Sequence, residues 1–372
     1  ANAQQKAETP ATAEKPTDPR IAKFSSELAT LHTLWKARKY REAIAPAERL
    51  TALAREIYGE NHLRFSGSLF NLAMLYRNTG QYEAAFAVFA KVFTIQHPLR
   101  SPTNKAYKRI LRQLDETGQR VGTGREVVGY LETAIEKIAA EGAAGTTHDV
   151  EIQARLGRLL RFLADYDRAE QILREALTLR RRIAPPDDIS IVMDLNNLAG
   201  IVRARGKYAE AAKFYKEAID VQIRIKGENN ANTGILLDNI AVMYLTMGQP
   251  EEAEPYQKRA LAILEKTLGD HHRSTGIALG NMAELYRNLS RYAESEPLFR
   301  RAIAILTKAL PPNHPLLGAV TDNYAGLFQQ RGQHEKALET YRKAITILSA
   351  AHGPEHPEVA VAYNNIGLAL GS

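Results

Sequence analysis

The sequence predicts an all-α fold of repeated helix pairs, and three observations lead to that prediction. Apolar residues recur at helical spacing on both sides of a short turn. A glycine or another residue that tolerates a left-handed backbone separates the two stretches. Asparagine returns every 42 residues, a period typical of solenoids, in which each unit packs only on its neighbours. The asparagines in this frame are Asn71, Asn197, Asn239, Asn281, Asn323 and Asn365.

The chain as a whole has the composition of a folded protein. Of its 372 residues 45% are hydrophobic and 24% charged, and no stretch approaches the roughly 20 apolar residues that span a bilayer. We therefore expect no membrane span and a single solenoid over residues 21–372, because repeat arrays extend in one dimension and do not split into globular domains.

The first 20 residues differ from the rest. They carry several prolines and no aromatic residue, which predicts a disordered leader over residues 1–20. Small residues and the lack of an initial Met favour removal of a signal peptide, and hence a periplasmic or secreted location. The alternative is a cytoplasmic protein cut at another boundary, since the absence of cysteine is compatible with either compartment.

One repeat unit illustrates the elements in order. Apolar residues at helical spacing predict a first helix, helix A, that ends near Arg205, and Gly206 supplies the left-handed residue after it. A second apolar stripe starting at Tyr208 predicts helix B. The small residue Ala211 allows the two helices to approach closely. The hairpin must stack on its neighbours because it cannot bury both apolar faces alone.

Eight registers of this unit fit without an insertion or deletion. The predicted turn residues are Arg38, Gly80, Gly122, Ala164, Gly206, Gly248, Ser290 and Gly332. The predicted close-contact residues are Ala43, Ala85, Val127, Ala169, Ala211, Ala253, Ser295 and Ala337.

Two parts of the array depart from the pattern. In the segment from about 104 to 145, Gly118, Gly122, Gly124 and Gly129 interrupt the pattern and predict a divergent unit that is bent or loosely packed, since an interior glycine costs about 1 kcal/mol relative to alanine. Residues 358–370 reproduce helix A without a helix B, which predicts a terminal capping helix. Because Leu368 and Leu370 are apolar, we expect either another chain to cover this helix or the natural protein to continue.

Several segments resemble the tetratricopeptide repeat. They are residues 70–85 (FNLAMLYRNTGQYEAA), 195–212 (LNNLAGIVRARGKYAEAA), 237–253 (LDNIAVMYLTMGQPEEA) and 279–295 (LGNMAELYRNLSRYAES). Linkers such as Gly59–His62 (GENH) and Gly269–His272 (GDHH) are similar to those of the 42-residue form typified by kinesin light chains. Over about residues 26–370 the resemblance implies a right-handed superhelical solenoid of about eight such units plus a C-terminal capping helix.

The resemblance also implies a peptide-binding groove, because in this family helix A lines the concave surface and an Asn at this position contacts the backbone of an extended peptide. The predicted groove floor consists of Asn71, Gln113, Arg155, Asn197, Asn239, Asn281, Asn323 and Asn365. Seven residues further along the same faces lie Asn78, Phe162, Thr246, Asn288 and Gln330.

Two interpretations of the asparagines stay open at this point. A carboxamide has two donors and an acceptor, so it can pair with any peptide group whatever the side chain of the ligand. An asparagine at a fixed repeat position would equally well bond a neighbouring helix, since buried carboxamides are usually satisfied internally.

The basic residues suggest the charge of a partner. The net charge is +7, the isoelectric point is 9.3, and Arg155, Arg158 and Arg161 follow one another at helical spacing. If these guanidinium groups face the groove, they favour an acidic segment; the alternative is a solvated helix face. The sequence does not favour nucleic acid as a partner, because acidic residues are mixed with the basic ones and no recognised nucleic-acid module is present.

Nothing in the sequence indicates an enzyme, a metal site or a cofactor. His62, His272, His314 and His356 occupy the linker position of the 42-residue frame, which explains them without a metal. The chain has no cysteine and no Gly-x-Ser-x-Gly motif.

We therefore expect a non-catalytic scaffold or adaptor that binds a protein segment in its groove. One alternative is the sensing half of a bacterial protein with a caspase-like protease domain. Another is a structural subunit of a cell-envelope complex.

Overall fold

A computed structural model describes residues 18–354 and 356–371, and in these ranges every regular element is an α-helix. The helices are α1 Pro19–Lys36, α2 Ile44–Tyr58, α3 Leu63–Asn78, α4 Tyr82–Gln96, α5 Lys105–Val121, α6 Gly124–Ala140, α7 Thr147–Phe162, α8 Tyr166–Ile183, α9 Ile189–Ala204, α10 Tyr208–Lys226, α11 Ala231–Thr246, α12 Pro250–Leu268, α13 Arg273–Asn288, α14 Tyr292–Ala309, α15 Pro315–Gln330, α16 His334–His352 and α17 Pro357–Gly371. Odd-numbered helices are the A helices of the repeat and even-numbered helices are the B helices. The predicted all-α class is confirmed.

The predicted turns are confirmed residue by residue. All eight turn residues have a positive φ, from 56° at Arg38 to 84° at Gly80. Five of them are glycines, which adopt this conformation without strain. Arg38, Ala164 and Ser290 adopt it despite a side chain, so the 42-residue frame and not glycine alone sets where each A helix ends.

The chain divides into two compact units, residues 1–165 and 166–372. The described part of the first unit holds α1 to α7, and that of the second holds α8 to α17. Within each unit, consecutive helices pack on one another, as a stack of hairpins requires. The single solenoid expected over residues 21–372 stays a prediction.

Within each unit, close approach of the two helices of a pair depends on the predicted small residues. All eight are at most 1% exposed. Ser295 also donates a hydrogen bond from Oγ to the carbonyl of Ala283 over 2.6 Å, which satisfies its buried hydroxyl. Larger residues complete the cores, such as Leu50 and Leu75 in the first unit and Phe299 and Leu306 in the second.

The divergent segment forms the helix pair α5 and α6. Two of its glycines are needed for close packing. A Cβ at Gly118 would lie 2.4 Å from Val127 Cγ2, and one at Gly124 would lie 3.0 Å from Leu163 Cδ2. Packing at these two positions is therefore tight, although α5 and α6 contact each other less extensively than α3 and α4 do, and the expectation of a bent or loosely packed unit stays a prediction.

The first helix starts inside the expected leader. Asp18 accepts a hydrogen bond from the backbone N–H of Arg20 over 3.0 Å, and Pro19 occupies the first turn, where its missing N–H costs nothing. Residues 19 and 20 are thus helical, and residues 1–17 lie outside the described part of the chain.

Candidate functional site

In the second unit, the predicted asparagine ladder links each of the A helices α11, α13, α15 and α17 to the A helix before it. Asn239 Nδ2 donates to Asn196 Oδ1 over 2.9 Å, and Asn281 Nδ2 donates to Asp238 Oδ2 over the same distance. Asn365 Nδ2 donates to Asp322 Oδ2 over 3.0 Å. In all three pairs the acceptor lies 43 residues earlier, one position before the preceding ladder asparagine, so the contact repeats with the frame.

Asn323 shows what happens when the usual acceptor is missing. The residue 43 positions earlier is Gly280, which has no side chain. Asn323 Nδ2 donates instead to Glu284 Oε2 over 2.9 Å, one helical turn further along α13. The inter-repeat hydrogen bond is thus kept by shifting its acceptor.

The acceptors determine which end of each carboxamide faces the preceding helix. Each acceptor is a carboxyl oxygen or, for Asn239, the amide oxygen of Asn196, so Nδ2 of the asparagine points towards it and Oδ1 points away. The four asparagines are half-buried, and their Oδ1 atoms are neither bonded to another described residue nor sealed from solvent. One row of carbonyl oxygens is therefore open along the A helices of the second unit.

Asn197 and Asn71 lack this contact. Neither side chain has a hydrogen-bond partner among the described residues, and both are half-buried. For Asn71 the residue 43 positions earlier is Leu28, which cannot accept a hydrogen bond. Both ends of the Asn71 carboxamide are therefore free.

Gln113 departs from the expectation of a groove residue. It is only 3% exposed, because its Oε1 accepts from Arg77 while its Nε2 donates to Glu116 over 3.3 Å. Arg77 also pairs with Glu116 over 3.0 Å. The Gln113 side chain belongs to a contact between repeats and not to an open floor.

The predicted basic sector is compensated where it meets the ladder. Arg155 Nη1 pairs with Asp115 Oδ2 over 2.7 Å, with the aspartate side chain only 11% exposed. Arg158, half-buried on the same helix, also has an interaction partner. A free anion site at Arg155 is thus absent, since Asp115 already occupies its guanidinium.

The second predicted row is brought together only in part. Asn78 and the exposed ring of Phe162 line one open hollow of about 680 Å³ in the first unit, next to Arg77, Glu116 and Arg120. In the second unit, Asn288 bonds the backbone of its own helix, donating from Nδ2 to the Glu284 carbonyl over 2.9 Å.

A second open feature of the first unit is lined in part by Asn71. It is a hollow of about 650 Å³ between α1, α3 and α5, with mainly apolar walls and three arginines, Arg64, Arg100 and Arg109. This hollow was not predicted from the sequence, because its three arginines lie 9 to 45 residues apart in the chain and belong to different elements. The one available signal was Arg109, which stands where the second unit has Met193 or Ile235.

Burial changes the pKa of the carboxyl groups that accept hydrogen bonds from the ladder asparagines. It raises the pKa of Asp238, although hydrogen bonds from Gln257 and Asn281 act in the opposite direction. Burial also raises the pKa of Glu284 and of Asp322, whose Oδ1 is buried without a hydrogen-bond partner among the described residues. These acids are held in the stack at a cost in solvation.

Glu170 on α8 has the opposite balance. Its burial favours the neutral form, but hydrogen bonds from Lys207, Arg174 and Arg205 outweigh burial and lower its pKa to about 2. Glu170 is 5% exposed, and its oxygens lie 2.5 to 2.8 Å from these three cations. This cluster connects α8 with the turn between α9 and α10.

The linker histidines cap helices. Nδ1 of His62 and of His272 accepts from a backbone N–H in the first turn of the next A helix over 3.0 Å, and His314 does the same over 3.2 Å. The sequence explains their spacing, and the structure supplies this reason for the residue type. Residues 18–354 and 356–371 contain no group of three or more potential metal ligands.

None of the described helices combines the length and apolar character that a bilayer crossing requires.

Comparison with known proteins gives matches to models of the tetratricopeptide repeat. They cover residues 66–96, 151–190 and the overlapping segments 192–266, 239–308, 274–350 and 316–372. The RxLR effector protein SFI4 of Phytophthora infestans (strain T30-4) is 26% identical over 168 residues, which are 45% of this chain and 50% of that protein. The chain thus matches about half the length of this relative.

Solved structures show the same fold. A putative kinesin light chain of Podosopora anserina with nearly identical TPR-like repeats is 20% identical, with a TM-score of 0.50 over 57% of this chain and 98% of that one. The quorum sensor NprR of B. thuringiensis, in its apo form, is 15% identical, with a TM-score of 0.62 over 89% of this chain and 88% of that one.

Proposed function

Because this chain belongs to the tetratricopeptide repeat family, we propose that it is a non-catalytic scaffold that binds an extended segment of another protein along its A helices. The resemblance to kinesin-light-chain repeats predicted from the sequence is confirmed. The fold does not identify the bound segment or its sequence, because the same fold binds many different ligands.

The observation that carries this proposal is the row of open Oδ1 atoms on Asn239, Asn281, Asn323 and Asn365. An extended segment has backbone N–H groups that need acceptors once they leave water. Carbonyl oxygens repeated along neighbouring helices would supply them without regard to side chains. The groove would then bind the main chain of the ligand, and other residues of the protein would select the sequence of the ligand.

The two interpretations of the ladder then apply to different atoms of one side chain. Nδ2 stabilises the stacking of repeats, and Oδ1 is available to a ligand. Asn197 is the most informative test residue, because it has no hydrogen-bond partner among the described residues and its removal should leave the fold intact.

The experiment uses the full chain and an array of random, acetylated and amidated 12-residue peptides. The affinity of each bound peptide is then measured by fluorescence anisotropy. We expect Asn197→Ala to weaken binding about fivefold, the value of one hydrogen bond of about 1 kcal/mol. Asn229→Ala, in the exposed linker before α11, is the matched control and should change nothing. Absence of any bound peptide, or equal affinities in all three proteins, would contradict the proposal.

A regulatory role is the second candidate function, in which the bound segment controls a partner or a protease domain of the same protein. The fold shared with the quorum sensor NprR supports it. A screen in which a bound peptide changes the chain's affinity for a second protein would favour regulation over a passive scaffold. The expected periplasmic or secreted location, with the cytoplasm as the alternative, stays a prediction.

Contact with another chain at α17 is part of the proposal. Val361, Leu368 and Leu370 are 58 to 68% exposed there. Apolar side chains grouped on one exposed helix support such a contact.

A further inference from the structure

The hollow around Asn71 has the dimensions and walls of a small-molecule site. Its volume of about 650 Å³ falls within the range of roughly 300 to 1,000 Å³ that is usual for such sites. Leu28, Phe24, Tyr58 and Phe70 supply apolar and aromatic wall, with the rings of Phe24 and Tyr58 in edge contact at 5.9 Å. An apolar body would be largely desolvated between them.

The polar groups of the hollow carry one sign of charge. Its described lining includes Arg64, Arg100 and Arg109 but no aspartate or glutamate, and none of the three forms an ion pair with another described residue. Arg109 lies over the ring of Phe70 at 4.1 Å, and Arg64 donates to the Tyr58 hydroxyl over 2.6 Å. Burial, and the nearby Arg112, lower the pKa of Arg109. The hollow therefore has cations without a counter-charge.

Two residues that line the hollow each have a buried polar atom without a hydrogen-bond partner among the described residues. Gln96 is 4% exposed and donates from Nε2 to Ser66 Oγ, but its Oε1 has no donor among the described residues. Arg100 Nη1 donates to Asn104 Oδ1 over 3.1 Å, whereas its buried Nε has no acceptor among them. Unsatisfied buried atoms are uncommon in a folded protein, and both belong to residues that line this hollow.

The repeat frame shows which residues open the hollow in the first unit. Gly67 lies in the middle of α3, and a Cβ built on it would meet no atom within 4 Å. The equivalent positions carry side chains in the later repeats, and Arg109 is the only cation among them. They are Arg109, Glu151, Met193, Ile235, Ile277, Ala319 and Val361. A missing side chain at residue 67 thus opens a space that a cation at residue 109 borders.

We propose that this hollow binds a small organic anion, a carboxylate attached to an aliphatic or aromatic body. The carboxylate lies between Arg64, Arg100 and Arg109, and the body lies against Phe24, Tyr58 and Phe70. This goes beyond the proposed scaffold function, because the site needs no extended segment and its lining residues all belong to the first unit. The same chemistry can come from a free acid or from an acidic and an aromatic side chain of a peptide.

The experiment measures binding to the full chain by isothermal titration calorimetry with defined probes. Decanoate and 3-phenylpropionate represent the free acids. An acetylated, amidated tetrapeptide with phenylalanine next to aspartate represents the peptide source. Decanol and the corresponding peptide with asparagine in place of aspartate are the uncharged controls. We expect at least one acid to bind at least tenfold more tightly than its uncharged control, since charge-assisted contacts to guanidinium groups are the strong ones.

Two variants test the location independently. Gly67→Leu should fill the hollow and abolish binding, and it should not lower stability because the position is helical and open. Arg109→Ala should weaken binding tenfold or more. Gly129→Leu, at an open and exposed glycine of α6, and Arg125→Ala, at an exposed arginine of the same helix, are the matched controls.

The outcomes separate this inference from the scaffold proposal. Binding of a free acid that is lost in Gly67→Leu and kept in Gly129→Leu supports a small-molecule site. Binding of the acidic peptide alone, with the same pattern, assigns the anion to a peptide. Failure of all acids to bind, or binding unaffected by both Gly67→Leu and Arg109→Ala, overturns the inference, whereas the effect of Asn197→Ala on random peptides is untouched by that result.

Discussion

The ladder of the second unit and the hollow of the first unit start from the same repeat position and differ in what surrounds it. Asn281 faces Asp238 and donates to it, whereas Asn71 faces Leu28 and has no partner among the described residues. Charges follow the same division: Glu170 is enclosed by three cations in the second unit, while Arg109 has no acid beside it in the first.

This difference indicates a division of labour between the Asn281 and Asn71 sites and not between whole units, since the first unit also holds compensated charges such as Arg155 with Asp115. Polar groups that satisfy one another stabilise a stack, and they leave only outward atoms for a ligand. Polar groups without partners add little stability, and they are available for binding. The same repeat can thus serve either purpose, depending on the residue that occupies the position facing it.

We expect the largest effect on stability from replacing Glu170, the acid of the second unit whose charge is compensated by three cations. Glu170→Gln leaves Arg174, Arg205 and Lys207 without their common acid, and should lower the free energy of unfolding by about 2 kcal/mol at pH 7. This is less than the 3 to 5 kcal/mol of a fully buried pair, because the cations are partly exposed. Urea unfolding of both proteins measures it.

The pH dependence of that effect follows from the lowered pKa. Ionised Glu170 stabilises the folded state above its usual pKa of 4.5, and this contribution is lost as the pH falls towards about 2. The gap between wild type and Glu170→Gln should therefore shrink between pH 5 and about pH 2. A gap that stays constant over this range would show that charge is not the cause.

The next effect compares the two asparagines directly. Asn281→Ala removes a donor from the buried Asp238 and should cost about 1.5 kcal/mol. Asn71→Ala removes no hydrogen bond to a described residue and should change stability by less than about 0.5 kcal/mol. Thermal and urea unfolding of both variants test this, and equal losses would remove the distinction between the two units.

Replacing one glycine of each unit by alanine should change the stability of the protein in opposite directions. Gly67→Ala adds a methyl group to open space inside a helix and should stabilise by about 1 kcal/mol. Gly318→Ala places a Cβ 2.7 Å from the Leu348 side chain and should destabilise by about 1 kcal/mol after the same helix gain is counted. Unfolding midpoints of the two variants that move in the same direction would contradict this.

The smallest effect concerns Asp322, a ladder acid in which burial outweighs the hydrogen bond from Asn365. Burial raises the pKa of Asp322, so its ionised form is costly in the folded protein. Asp322→Asn should therefore stabilise by up to about 1 kcal/mol at pH 7. The gain should fade as the pH drops through the raised pKa, where the aspartate of the wild type becomes neutral. Differential scanning calorimetry at pH 7 and pH 4 measures it, and an equal gain at both values would argue against a charge effect.

Much of the fold follows from local chemistry that the sequence records. Gly206 and its equivalents end the A helices because the left-handed backbone stops a helix wherever the frame places it. Ala211 and its equivalents are buried because only a small residue fits between two close helices. Both features depend on residues near one another in the chain, so the periodicity was sufficient to predict them.

The site was predicted less completely, because its partners are about 40 residues away. The frame placed Asn281 on one face of α13, but it did not show that this face meets α11 or that Nδ2 would donate to Asp238. It also did not show that Asp115 would neutralise Arg155, or that Arg77 would cover Gln113.

By itself, the sequence determined where each A helix ends and its B helix begins, which residues lie between the paired helices and which face of each A helix carries the asparagines. The tertiary structure decided which end of each carboxamide is free, and it brought Gly67, Arg100 and Arg109 to one hollow. The physical reason is that backbone conformation depends on neighbours in the chain, whereas hydrogen-bond satisfaction and charge compensation depend on neighbours in space.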